Sequence, residues 1–153
     1  MREEKKSPDQ KKSDQIAEKV DALLSEGYQM WERFGFRKLT EEERYLVAGC
    51  AADACKKREF AEDYAAACQS FFLFRKLHEW TEEFPETATL LGDYFFSRFS
   101  HYLIPIDSTR LIDLFSEYLK ADTKEMFEKD GKAVFCMERY LDFVRKTAGE
   151  IAL

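Results

Sequence analysis

The chain has 153 residues, 45% of them hydrophobic and 15% aromatic, with 24 Lys and Arg against 30 Asp and Glu for a net charge of −6. A chain of this length buries roughly 70% of its unfolded surface in one domain, and so apolar a composition excludes disorder. The acidic balance gives no electrostatic footprint for nucleic acid, and 6 glycines and 3 prolines are too few for an all-β fold with many tight turns.

The first dozen residues, with Arg2-Glu3-Glu4-Lys5-Lys6 and Lys11-Lys12, read as a solvated, mobile charged tail, residues 1–12. Order is expected from about Ser13, giving one helical domain over 13–153. Ile16, Val20, Leu23, Leu24, Gly27, Trp31 and Phe34 recur at spacings of three and four, which predicts one helix. Thr40-Glu41-Glu42-Glu43 has the form of a capping box and opens a second helix, whose Ala48, Gly49, Ala51, Ala52 and Ala54 permit close helix approach. A third helix, about Phe60 to Trp80, is apolar over most of its girth and belongs inside a bundle.

Pro85 opens a fourth helix to about Leu103, and Pro105 closes it. On a helical wheel that segment carries two apolar arcs, Leu91/Phe95/Phe99/Tyr102 and Gly92/Phe96/Leu103, and a narrow polar strip. A helix gripped from two sides packs on its own bundle with one and on further protein with the other. Asp107-Ser108 caps a fifth helix with Leu111, Ile112, Leu114, Phe115, Tyr118 and Leu119 facing inward, and Asp130-Gly131 breaks it. A last helix carries Val134, Met137, Tyr140, Leu141, Val144, Ala148 and Ile151. The pattern predicts an all-α bundle of about six helices.

The chemistry-bearing residues are sparse. His78 and His101 fall in no Glu-x-x-His or His-x-x-x-His pattern, no phosphate-cradling glycine motif occurs, and Ser97 and Ser100 beside His101 read as surface residues. Cys50, Cys55, Cys68 and Cys136 form no C-x-x-C pair and read as reduced thiols packed as small hydrophobes. Met1 to Asp14 shows no signal-peptide pattern and no run reaches the ~18 apolar residues of a membrane span, so a cytoplasmic protein with no membrane span is expected.

Leu90-Leu91-Gly92-Asp93-Tyr94-Phe95-Phe96-Ser97 resembles the "L-a-G-D-Y-l-x-S" segment of the trans-polyprenyl diphosphate synthases, and Tyr140-Leu141-Asp142-Phe143-Val144-Arg145-Lys146-Thr147-Ala148 resembles their later "Y-L-x-x-x-x-K-T-A" helix. Upstream, Leu77-His78-Glu79 stands where catalytic members place His-Asp-Asp. The resemblance spans about Phe60 to Leu153. It is to the small, non-catalytic component of heterodimeric heptaprenyl or hexaprenyl diphosphate synthases, and it implies a truncated isoprenoid-synthase-like bundle.

Ionising an allylic diphosphate requires Mg²⁺ held by several converging carboxylates. None of the 11 Asp residues adjoins another, so neither D-D-x-x-D motif of the catalytic family can be written. Glu79, Glu82 and Glu83 share a helical face and are weak candidates for a metal site; the plainer reading is an exposed acidic helix end. Lys146 and Thr147 stand at the family's diphosphate-contact positions and are expected to be vestigial.

The resemblance implies a regulatory or structural subunit with no catalytic residues and no cofactor of its own. Its partner, a catalytic polyprenyl diphosphate synthase subunit, would bring both aspartate motifs and the Mg²⁺, and the pair would make isoprenoid side chains for a quinone, menaquinone in a bacterium. Leu91, Phe95, Phe96, Phe99, Tyr102, Leu103 and Phe115 are the expected partner interface or tunnel wall. Alone, the chain has the option of homodimerising through the same surface. The competing reading is a helical protein–protein interaction module unrelated to isoprenoids.

Overall fold

Ser7 and Pro8 start the first helix. In the computed structural model, which describes residues 6–81, 83–129 and 135–151, the Ser7 hydroxyl accepts from the Gln10 amide at 3.2 Å and α1 runs Pro8–Leu23. An N-cap Ser, a Pro in the first turn and Asp9 behind it suit a helix N-terminus. Helical structure therefore begins inside the segment expected to be a charged tail, five residues before Ser13. The single helix expected from the spacing of Ile16 to Phe34, its far end left open by Gly27 and Gly35, is two, α1 and α2 (Ser25–Arg33), separated at Leu24 with φ −99° and ψ 9°.

Helix α3 (Glu41–Ala54) opens on the complete capping box: Thr40 Oγ1 accepts from the Glu43 amide at 3.1 Å, and Glu43 Oε1 accepts from the Thr40 amide at 2.9 Å. Its Ala48, Ala51 and Ala52 have no solvent exposure, and the helix packs on α1, on α4 (Ala61–Leu77) and on α7 (Met137–Ala148). In α4, 13 of 17 residues are buried, which makes it the axle of the bundle, as its all-round apolar sequence predicts. A 3₁₀ turn, His78–Trp80, continues it.

Helix α5 (Pro85–Leu103) has the expected bounds and lies along α4. The chain then turns through Ile104–Ile106 and Asp107, whose φ of 50° is a left-handed conformation that Asp tolerates. Ser108 alone caps α6 (Thr109–Glu128), accepting from the Leu111 amide at 3.2 Å. Only Leu111 and Phe115 of α6 are fully buried, and Ile112, expected to face inward, is 52% exposed. The buried stripe follows Leu111, Phe115 and Tyr118 toward the core rings, and Ile112 falls on its flank.

Helix α7 is anchored to α4 by two buried hydroxyls: Tyr140 donates to the Cys68 carbonyl at 2.6 Å and Tyr64 to the Val144 carbonyl at 2.5 Å. Ile151 is buried just past the end of α7. The expected break at Asp130-Gly131 and the expected helical Val134 lie outside the described residues. The described residues thus form seven α-helices and no strand. Cys55 and Cys68 are packed in the core, Cys50 is half-buried and Cys136 is exposed, all as free thiols.

Candidate functional site: the face between α5 and α6

Three phenylalanines from three helices make a triangular floor. Phe71 of α4, Phe99 of α5 and Phe115 of α6 have ring centroids 5.1, 5.1 and 4.9 Å apart, in inclined geometries that favour aromatic contact. Above them lies a groove of about 430 Å³ between α5 and α6. Its lips are apolar and open to solvent: Phe96 is 38% exposed, Ile112 52% and Ile104 72%. Ser100 and Ser116 are polar points of its wall, and Asp107, Ser108 and Thr109 make a polar end where α5 turns into α6. An open groove with an aromatic floor and uncovered aliphatic lips has the form of a surface for another apolar element.

The groove exists because α6 stands off the bundle on long side chains. Phe115 and Tyr118 reach Phe71 and Phe143, and Arg139 of α7 donates to Glu125 at 2.9 Å. The innermost tie is Arg75 of α4, whose Nε–H donates to Asp122. Arg75 is 1% exposed, and its Nη1 and Nη2 have no hydrogen-bond partner among the described residues. Unsatisfied buried donors cost about 1–3 kcal/mol each. Phe135 offers partial compensation, its ring centroid lying 5.5 Å from the guanidinium carbon.

A cavity of about 310 Å³ adjoins this pair, lined by Arg75, His78, Asp122, Leu119, Met126 and Phe127 among others. Leu119 lines both this cavity and the α5–α6 groove. His78 is half-buried, with Nδ1 3.2 Å from the Phe74 carbonyl and its ring edge-on to Phe74. Burial pushes its pKa down, and the Phe74 hydrogen bond opposes that only in part.

Of the seven residues expected at an interface or tunnel wall, Phe96, Phe99, Leu103 and Phe115 line the groove. Leu91 and Phe95 do not: they are 1% and 0% exposed, and Phe95 points at Tyr28 and Trp31 of α2. Tyr102 is also buried and not among the groove's lining, its pKa raised by burial. Phe71, Ile104, Ile112 and Leu119 belong to the groove without having been expected there. The one available signal was the Ile104-Pro105-Ile106 sequence at a helix junction, of which Ile104 and Pro105 are exposed and Ile106 is buried.

Two of the three acidic candidates, Glu79 and Glu83, lie within the described residues. Glu79 lies 3.6 Å from Lys76, which also meets Glu43 at 3.5 Å; Glu83 is exposed, and Glu82 lies outside the described residues. Among the described residues, no group of three or more His, Cys, Asp or Glu side chains is arranged to hold a metal ion. In α7, Lys146 is exposed and Thr147 is 2% exposed, so the two face opposite environments. No described helix is long and apolar enough to cross a membrane. No protein family, curated protein or solved structure matches this chain.

Proposed function

We propose that this chain is a non-catalytic helical subunit that docks its α5–α6 face on a separate catalytic polyprenyl diphosphate synthase subunit. The observation that carries the docking is the groove over Phe71, Phe99 and Phe115 with Phe96, Ile104 and Ile112 uncovered at its lips. Its lining runs over residues 96–103 of α5 and 109–119 of α6, a track of about 15 Å, enough for two to three turns of a partner helix read at i, i+3, i+4 and i+7. The partner's class rests on the resemblance of the Leu90–Ser97 and Tyr140–Ala148 segments, and on their order, to the small components of heterodimeric synthases.

In this reading the partner supplies both aspartate motifs and Mg²⁺, and performs the ionisation and condensation in the cytoplasm. The present chain supplies bulk. Each C₅ unit of a growing tail buries several methylenes at ~0.8 kcal/mol apiece, so aromatic side chains at the end of a shared tunnel set where growth stops. The products are isoprenoid tails for a quinone, menaquinone in a bacterium.

The test is product analysis with farnesyl diphosphate and isopentenyl diphosphate. The chain alone is expected to give no turnover, and the catalytic subunit with the chain to give longer products than without it. Turnover by the lone chain, or products that do not change on mixing, would contradict the proposal. Unchanged products would favour a helical interaction module unrelated to isoprenoids.

A further inference from the structure

We infer that the cavity beneath the C-terminal half of α6 binds an amphipathic carboxylate, with its head on Nη1 and Nη2 of Arg75 and its tail along Leu119 and Phe127. The inference is independent of the partner proposed above, because it concerns side chains of this chain alone.

A guanidinium carries five N–H donors in a planar fork. Asp122 takes the Nε edge of Arg75, and the Nη1/Nη2 edge has no acceptor among the described residues although the side chain is 1% exposed. That remaining edge has the spacing of a carboxylate. Asp122 already balances the charge, so acceptor atoms are what the site lacks. A dianionic phosphate would face the Asp122 carboxylate, whereas a monoanion supplies two acceptors with half the repulsion.

The rest of the cavity suits a tail. Arg75 is the only Lys or Arg among its described lining residues, and His78, its Nδ1 committed to the Phe74 carbonyl, lies at the side. Leu119, Met126 and Phe127 make the wall, and Phe127 is 85% exposed with nothing described over it. Leu119, Thr123 and Phe127 also border an open stretch of the α6 surface that carries Lys120, Lys124 and Glu128. The cavity of about 310 Å³, apolar along Leu119, Met126 and Phe127 and polar at Arg75, His78, Asp122 and Thr123, is of the size of small-ligand sites. Nη1 and Nη2 are themselves sealed from solvent, so α6 must shift outward when the head binds.

Calorimetry on the isolated full chain tests this with decanoate, decan-1-ol and acetate. Saturable one-to-one binding of decanoate is expected, with decanol at least tenfold weaker and acetate not detected. The R75M/D122L double variant removes both charges together and keeps the site filled; it should lose the preference for decanoate over decanol. Phe127→Ala should weaken both ligands alike. No saturable decanoate binding, equal affinities in the wild-type chain, or a preference that survives in R75M/D122L would overturn the inference. The wild-type comparison decides the matter even if the double variant fails to fold.

Discussion

Arg75 of α4 and Asp122 of α6 form an ion pair in which the arginine side chain is 1% exposed and the aspartate 16%. Their unequal burial makes the pair asymmetric. Asp122→Leu strands a buried cation and should cost about 3–5 kcal/mol. Arg75→Met leaves a carboxylate that reaches water and should cost about 1–2 kcal/mol. The double variant should lie within about 1 kcal/mol of wild type, since apolar replacement of a buried pair is often neutral. Urea unfolding of the four proteins checks the order.

Gly27 and Gly49 should respond to alanine in opposite directions. A Cβ on Gly27 would lie 2.6 Å from Phe95 Cζ and 2.8 Å from Tyr94 Cε1, and Phe95, fully buried against Tyr28 and Trp31, has nowhere to turn. Gly27→Ala should destabilise by about 1–3 kcal/mol despite the better helix propensity of Ala. A Cβ on Gly49, inside α3, would meet nothing within 4 Å, so Gly49→Ala should stabilise by roughly 0.5–1 kcal/mol. Thermal unfolding distinguishes the two signs.

Glu43 makes the fold acid-sensitive. Burial by itself would raise its carboxyl pKa, but hydrogen bonds from the Arg37 guanidinium and the Thr40 amide outweigh it and hold the value at about 2 against an ordinary 4.5. Between those values the unfolded chain takes up a proton that the folded chain refuses. The contribution is therefore complete above pH 4.5 and is lost as pH falls from 4.5 to 2. Because Arg37 is half exposed, screening limits the effect to about 2 kcal/mol. Glu43→Gln should flatten this part of the stability–pH curve.

The buried hydroxyls that join α7 to α4 should be separable from the packing of their rings. Tyr140→Phe leaves the Cys68 carbonyl without its 2.6 Å donor while keeping the ring between Phe71 and Phe72. A loss of about 1–2 kcal/mol with unchanged helix content is expected, measured by chemical unfolding and circular dichroism.

Where a local signal had a physical cause in a few adjacent residues, it was readable from the sequence. Pro85 and Pro105 mark the ends of α5, and Thr40 with Glu43 marks the start of α3. The break at Leu24 was not readable, because the apolar spacing runs through it and no proline or glycine stands there. Ser7-Pro8-Asp9 did carry a start signal, but charged neighbours masked it. The groove was legible only in part: the wheel of α5 placed Phe96 and Leu103 together on one arc, yet it put Phe99 on the other arc with Phe95 and could not say that Phe95 is taken by Trp31. Arg75 and Asp122 lie 47 positions apart, and no local pattern links them.

Ile112 tests the docking face most directly, because it is 52% exposed at the groove's lip and contributes little to the core. Ile112→Asp should change folding stability by no more than about 0.5 kcal/mol. Sedimentation of the chain mixed with a catalytic polyprenyl diphosphate synthase subunit should give a stoichiometric complex for wild type and separate species for Ile112→Asp. A complex that forms equally well with the aspartate in place, or none with the native isoleucine, would contradict the account.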